Sequence, residues 1–143
     1  MPNYSKKLGN WGEKIAQKYL QKHGYRILSQ NYCLPGGQID LIASLPLSPF
    51  HYTQFPNHSE LPQNSHQIVF FEIKTRTGSS FGEVEESISW HQKNALIRAA
   101  QTWLMEKQLF HCSWQFDLIS INLNRRTYPP LAEIKHLHHI FAE

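Results

Sequence analysis

Cysteine is nearly absent. The chain has two, Cys33 and Cys112, far apart and without a Cys or His partner at zinc-ligand spacing. That excludes a disulfide framework and a zinc knuckle and fits a reduced, cytoplasmic setting. Long apolar runs are missing too: eighteen apolar residues never occur together, and "MPNYSKKLGNWGEK" has no apolar core behind its charges. Neither a membrane span nor a signal peptide is expected. Acids are scarce at the start of the chain, where Glu13 stands alone before residue 40 against Lys6, Lys7, Lys14, Lys18, Lys22 and Arg26.

What is present suffices for one domain, 1–143. The 143 residues are 41% hydrophobic, enough for a core of their own. Fourteen Lys and Arg against eleven Asp and Glu give a charge of +3, which permits nucleic-acid contact without demanding it.

The pattern of apolar residues orders the elements. Leu8, Trp11, Ile15, Ala16, Tyr19 and Leu20 fall on one helical arc that Gly24 can end. Gly9 and Gly12 lie in the same arc, which implies that a backbone or a ligand comes close. "YRILSQNYCL" and "GQIDLIAS" read as a hairpin joined at "PGG", with Gly36 or Gly37 at positive φ. The stretch 44–66, rich in proline, reads as a long loop. "QIVFFEIKTRTG" is a buried strand whose second half is charged. A helix over 90–107 follows, with Lys93 inside its apolar arc, then the strand "WQFDLISINL" and a closing extended segment "EIKHLHHIF". The order predicts an α/β domain with helices covering a mixed sheet.

The charges on the buried strand need a reason, because unpaired buried charge is costly. Side chains alternate, so Val69, Phe71 and Ile73 share one face while Glu72 and Lys74 share the other, roughly 7 Å apart. Asp40 is an isolated acid between Ile39 and Leu41. Hard oxygen ligands from Asp40 and Glu72 suit Mg²⁺ or Mn²⁺, with Glu13 able to complete the shell, and Lys74 would meet a scissile phosphate. Each residue also has a plainer reading: Glu72 with Lys74 as a strand ion pair, Asp40 as a turn residue, Glu13 as a helix-face charge. Arg76 continues the face of Lys74 and serves either a phosphate or an ion pair. Lys93 either reaches water along the helix or meets phosphate. Glu83, Glu85 and Glu86 read as a solvated loop cluster. In "HLHH", His136 and His138 share one face and His139 the other; zinc would need a further ligand that the sequence does not reveal, so no site is expected there.

The blocks "LGNWGEKIAQKYLQKHGYRILSQNY", "GGQIDLIA", "IVFFEIKTRTGSSFG", "KNALIRAAQTWL", "FDLISINL" and "IKHLHHIF" together resemble the YraN family, which is placed in the restriction-endonuclease-like, PD-(D/E)xK superfamily beside archaeal Holliday-junction resolvases. The resemblance covers nearly all the chain except 44–66. It implies an αβββαβ core, with Asp40, Glu72 and Lys74 as a nuclease signature, Glu13 as an added helix acid and a lysine at position 93. Two features depart from the family pattern. Gln38 stands where Gly-Glu-Ile-Asp would place a carboxylate, and the proline-rich insertion is usually short.

The expectation is therefore a Mg²⁺- or Mn²⁺-dependent endonuclease acting on DNA, including branched or flapped DNA. Arg76, Lys93 and Gln38 would contact nucleic acid. The related resolvases work as dimers, so a second copy of the chain, in a homodimer, is one candidate partner, and a repair or recombination protein is another; the oligomeric state itself is left open by the sequence. The alternative is a non-catalytic nucleic-acid-binding module of the same fold serving repair, recombination or uptake.

Overall fold

Phe70 and Phe71 are adjacent and both wholly buried, on opposite faces of one strand, so the sheet at their level has a core on each side. In the computed structural model, which describes residues 4–47, 66–78, 88–129 and 131–141, the elements run α1 (Tyr4–Lys22), β1 (Arg26–Leu34), β2 (Gly37–Pro46), β3 (His66–Thr77), α2 (Trp90–Glu106), β4 (Ser113–Asn124) and β5 (Leu131–Leu137). The five strands form one sheet in the order β1-β2-β3-β4-β5. Only β3 and β4 are parallel, and α2 provides the crossover that a parallel pair requires. This is the αβββαβ order expected of a restriction-endonuclease-like core, with β5 added at one edge.

The two helices cover opposite faces. Phe70 and Ile68 pack with Leu96, Ala99, Trp103 and Leu104 of α2, and the Phe70 and Trp103 rings meet edge to face at 5.9 Å. Phe71, Val69 and Leu41 pack with Ala16 and Leu20 of α1. Burying one such phenylalanine contributes about 2–3 kcal/mol, which is why β3 reads as a continuous apolar run up to Phe71.

Local chemistry sets the turns. Gly24, at φ 87°, ends α1, and Tyr25 N–H returns to the Leu20 carbonyl at 3.0 Å. Leu34 pairs with Gly37, so Pro35 and Gly36 form the hairpin turn. Gly36 takes φ 85°, as a proline followed by glycine favours in a type II turn. The Ser89 hydroxyl caps α2 by accepting Gln92 N–H at 3.1 Å.

Of the two arc glycines, Gly12 meets the expectation and Gly9 does not. A Cβ at Gly12 would collide with the Thr75 side chain of β3, whereas one at Gly9 would meet nothing among the described residues. The proposed loop 44–66 is also shorter than expected, because Ser44, Leu45 and Pro46 pair with Ile68, Gln67 and His66. Backbone pairing to β3 supplies order there that the side-chain pattern does not display. Pro46 is tolerated because β1 pairing stops at Ser44, leaving β2 with one neighbour. Residues 48–65 of the insertion, and Glu83, Glu85 and Glu86, lie outside the described residues.

Candidate active site

The ladder between β2 and β3 stops at Leu41 opposite Phe71. Beyond it β2 remains paired to β1 alone, and the two central strands part. Asp40 and Glu72 are the first residues past that point. Asp40 Oδ2 accepts the Ile73 main-chain N–H at 2.8 Å, and Glu72, only 7% exposed, faces it.

Glu72 is held from two further sides. Lys74 Nζ lies 3.2 Å from its Oε1, and Gln92 Nε2 of α2 donates to the same oxygen at 3.3 Å. The cleft, about 440 Å³, is lined by Gln38, Asp40, Glu72, His91 and Gln92, among others. Its width is governed by Gly37, where a Cβ would stand 3.1 Å from the Ala95 carbonyl oxygen of α2.

The two acids are electrostatically uncomfortable without a cation. Burial and the charge of Glu72 push Asp40 up to about 7, outweighing the Ile73 N–H, and Glu13 adds to the push. Burial also raises Glu72, with Lys74 and Asp40 acting against it. The pair thus retains a proton well above the ordinary carboxylate range, as expected for two acids placed to share one positive ion. Carboxylate oxygens of Asp40 and Glu72, in a cleft that Gln38 also lines, are the hard donors that suit Mg²⁺ or Mn²⁺.

Glu13 joins the site through a residue that sequence reasoning missed. Asn31 of β1 donates from Nδ2 to Glu13 Oε2 at 3.5 Å, while its Oδ1 accepts Gln38 Nε2 at 3.1 Å. Asn31 has φ 52°, and asparagine is among the few residues that tolerate that conformation within a strand. An asparagine amid β-formers was the available signal. Gln92 and His91 were also missed, and nothing in the sequence distinguishes them from other polar residues of the first helical turn.

Arg76 extends the Lys74 face opposite Asn122 of β4. Lys93 goes elsewhere: its Nζ lies 5.4 Å over the Phe141 ring, in a hollow lined also by His138 and Ile140. On the other face of the sheet, Asp117 of β4 gathers His136 and His138 around one carboxylate. Cys33 and Cys112 are both free, and no helix among the described residues is long and apolar enough to cross a membrane.

Fold and site define a class: a mixed-sheet αβββαβ domain with a carboxylate cleft where its central strands part. The profile of the uncharacterised protein family UPF0102 matches residues 12–121. The chain belongs to that family, which is the YraN family. It is 36% identical over 119 residues to a UPF0102 protein of Caldanaerobacter subterraneus subsp. tengcongensis, covering 83% of this chain and 82% of the relative. It is 35% identical over 133 residues to one of Desulforamulus reducens, covering 92% and 93%. It is 29% identical over 141 residues to one of Geobacter metallireducens, covering 99% and 97%.

Proposed function

We propose that this chain is a divalent-cation-dependent endonuclease that hydrolyses DNA phosphodiester bonds, with branched and flapped DNA among its substrates, in a reduced cytoplasmic setting. The observation that carries the reading is the convergence of Asp40, Glu72 and Lys74 at the parted ends of β2 and β3. Asp40 and Glu72 would hold Mg²⁺ or Mn²⁺, with Glu13 and Gln38 behind them. The ion, when bound, would supply Lewis-acid polarisation of the phosphate.

The chain's own groups divide the remaining work. Lys74 places positive charge beside Glu72, where negative charge builds on the scissile phosphate. Gln92 holds Glu72 in orientation, and the Ile73 N–H does the same for Asp40. Arg76, on the same face, would bind the neighbouring backbone phosphate. The basic residues of α1 and its surroundings supply long-range attraction for DNA that weakens with salt.

The test is cleavage of labelled single-stranded, duplex, flap and four-way-junction DNA in Mg²⁺ and in Mn²⁺, with Asp40→Ala and Glu72→Ala prepared identically. The expected result is cleavage by the wild type that falls about 1,000-fold or more in both variants. Full activity in either variant overturns the assignment. Gln38, whose amide is already committed to Asn31 and brings no charge, favours one second reading, a DNA-binding module without efficient chemistry. Salt-sensitive binding with no turnover in either metal would select it.

A further inference from the structure

Asp117 is wholly buried, and the source of its stabilisation is specific. Its Oδ1 accepts Gln115 Nε2 at 2.7 Å and the His139 N–H at 3.1 Å. Its Oδ2 faces two imidazoles, His136 Nε2 at 2.8 Å and His138 Nδ1 at 3.0 Å. One carboxylate oxygen is thus oriented by protein donors while the other shares a small space with two ring nitrogens, all three atoms within 4.8 Å of one another.

The surroundings resemble a built ligand set more than a chance contact. His136 has its second nitrogen, Nδ1, 3.3 Å from the Tyr19 hydroxyl. That gives the ring the outer partner that fixes which nitrogen faces the carboxylate, a habit of metal-bound histidines. The His136 and His138 rings lie 3.9 Å apart at 33°, so two imidazolium charges side by side would repel. His139, at φ 51°, turns the chain immediately after His138 and so brings its own N–H onto Asp117. Ligand atoms about 2.0–2.2 Å from a tetrahedral ion stand about 3.3 Å apart, close to the 2.8 and 3.0 Å that separate Asp117 Oδ2 from the two ring nitrogens.

We propose that Asp117, His136 and His138 form a metal site for a zinc-class ion, separate from the Asp40 and Glu72 cleft and on the opposite face of the sheet. Two imidazoles and one carboxylate select Zn²⁺ or Co²⁺ over Mg²⁺, whereas the carboxylate oxygens of Asp40 and Glu72 also suit Mg²⁺ and can be kept filled by an excess of it. His138 is the outermost ligand, its side chain 58% exposed, which leaves a coordination position open to solvent. The ion would fasten the segment after β5 to β4. That segment already docks there through Ile140 N–H on the Phe116 carbonyl at 3.0 Å and the Phe141 ring on Phe116.

The experiment uses the full chain, stripped with EDTA and then held in excess Mg²⁺ to fill the oxygen cleft. Zn²⁺ is titrated while the melting temperature and bound metal are followed, and Co²⁺ is added separately for its visible absorption. The expected result is one Zn²⁺ per chain, a rise in Tm of several degrees and Co²⁺ bands typical of nitrogen and oxygen ligands. His138→Ala, at an exposed position, folds and weakens Zn²⁺ binding by about 100-fold or more. His139→Asn, which keeps the positive φ, binds as the wild type does, and so does Asp40→Asn. The proposal is overturned if the wild type shows no Zn²⁺-dependent rise, if His138→Ala retains it, or if Asp40→Asn abolishes it. The outcome is independent of whether DNA is cleaved.

Discussion

Asp40 accepts the Ile73 main-chain N–H at 2.8 Å, although the last residues paired between their strands are Leu41 and Phe71. A side chain takes the place of the ladder bond lost as β2 turns away. The strands can therefore part without leaving a buried donor unsatisfied, a deficit that would cost about 1–3 kcal/mol. The same contact pins one acid of the cleft beside the other, so the opening of the sheet and the assembly of the site are one structural event.

The raised pKa of Asp40 makes metal-free stability depend on pH. Asp40 is pushed up to about 7 in the folded chain, whereas it titrates near 3.9 when unfolded. Between about pH 4 and 7 the folded state therefore holds the extra proton, and stability falls as pH rises through that window. Asp40→Asn removes this penalty while keeping an oxygen for the Ile73 N–H. In EDTA, urea unfolding should show the variant more stable than wild type by about 1–3 kcal/mol near pH 8, with the difference vanishing near pH 4. Mg²⁺ should narrow the gap at pH 8 by stabilising the wild type alone.

The two glycines of α1 separate close approach from mere tolerance. Gly12→Ala drives a methyl group into Thr75 of β3, and denaturant unfolding should show a loss of about 1–3 kcal/mol. Gly9→Ala meets none of the described residues and should gain up to about 1 kcal/mol from helix propensity. Equal effects at both positions would mean that α1 does not cross β3 at Gly12. Because Glu13 follows Gly12 directly, Gly12→Ala should also lower any cleavage activity, while Gly9→Ala should not.

Gln38→Glu restores a carboxylate where the family pattern carries one. The change breaks the donor contact to Asn31 and adds negative charge to a cleft whose acids already retain a proton. Without metal the variant should lose about 1 kcal/mol at neutral pH. In Mg²⁺ or Mn²⁺ it should bind the ion about 10-fold more tightly, read as a lower metal concentration for half-maximal cleavage or for half-maximal thermal stabilisation. Unchanged metal affinity would show that position 38 lies outside the metal's reach.

Much of this molecule is legible from its residues alone. The helices read over about 8–23 and 90–107, found at Tyr4–Lys22 and Trp90–Glu106, the Pro35-Gly36 turn, and the shared face of Glu72 and Lys74 all follow from periodicity and turn chemistry, which act over a few residues. Other features depend on pairing between distant segments. Lys93 has the helical position expected of it, yet which neighbour it meets was decided by where Phe141 packs. Asn31 reaches Gln38 and Gln92 reaches Glu72 because β1 and the start of α2 border the place where β2 and β3 part.

"HLHH" marks the boundary most sharply. The sequence spaces His136 and His138 two residues apart, which puts them on one face of an extended segment, although β5 itself ends at Leu137. Only the tertiary structure decided that both meet Asp117, because β4 and β5 pair antiparallel with Leu118 opposite Leu137. That register carries a carboxylate across 19 residues of chain to the histidines' side of the sheet. Local periodicity fixes the direction in which a side chain points, and strand register fixes what it meets.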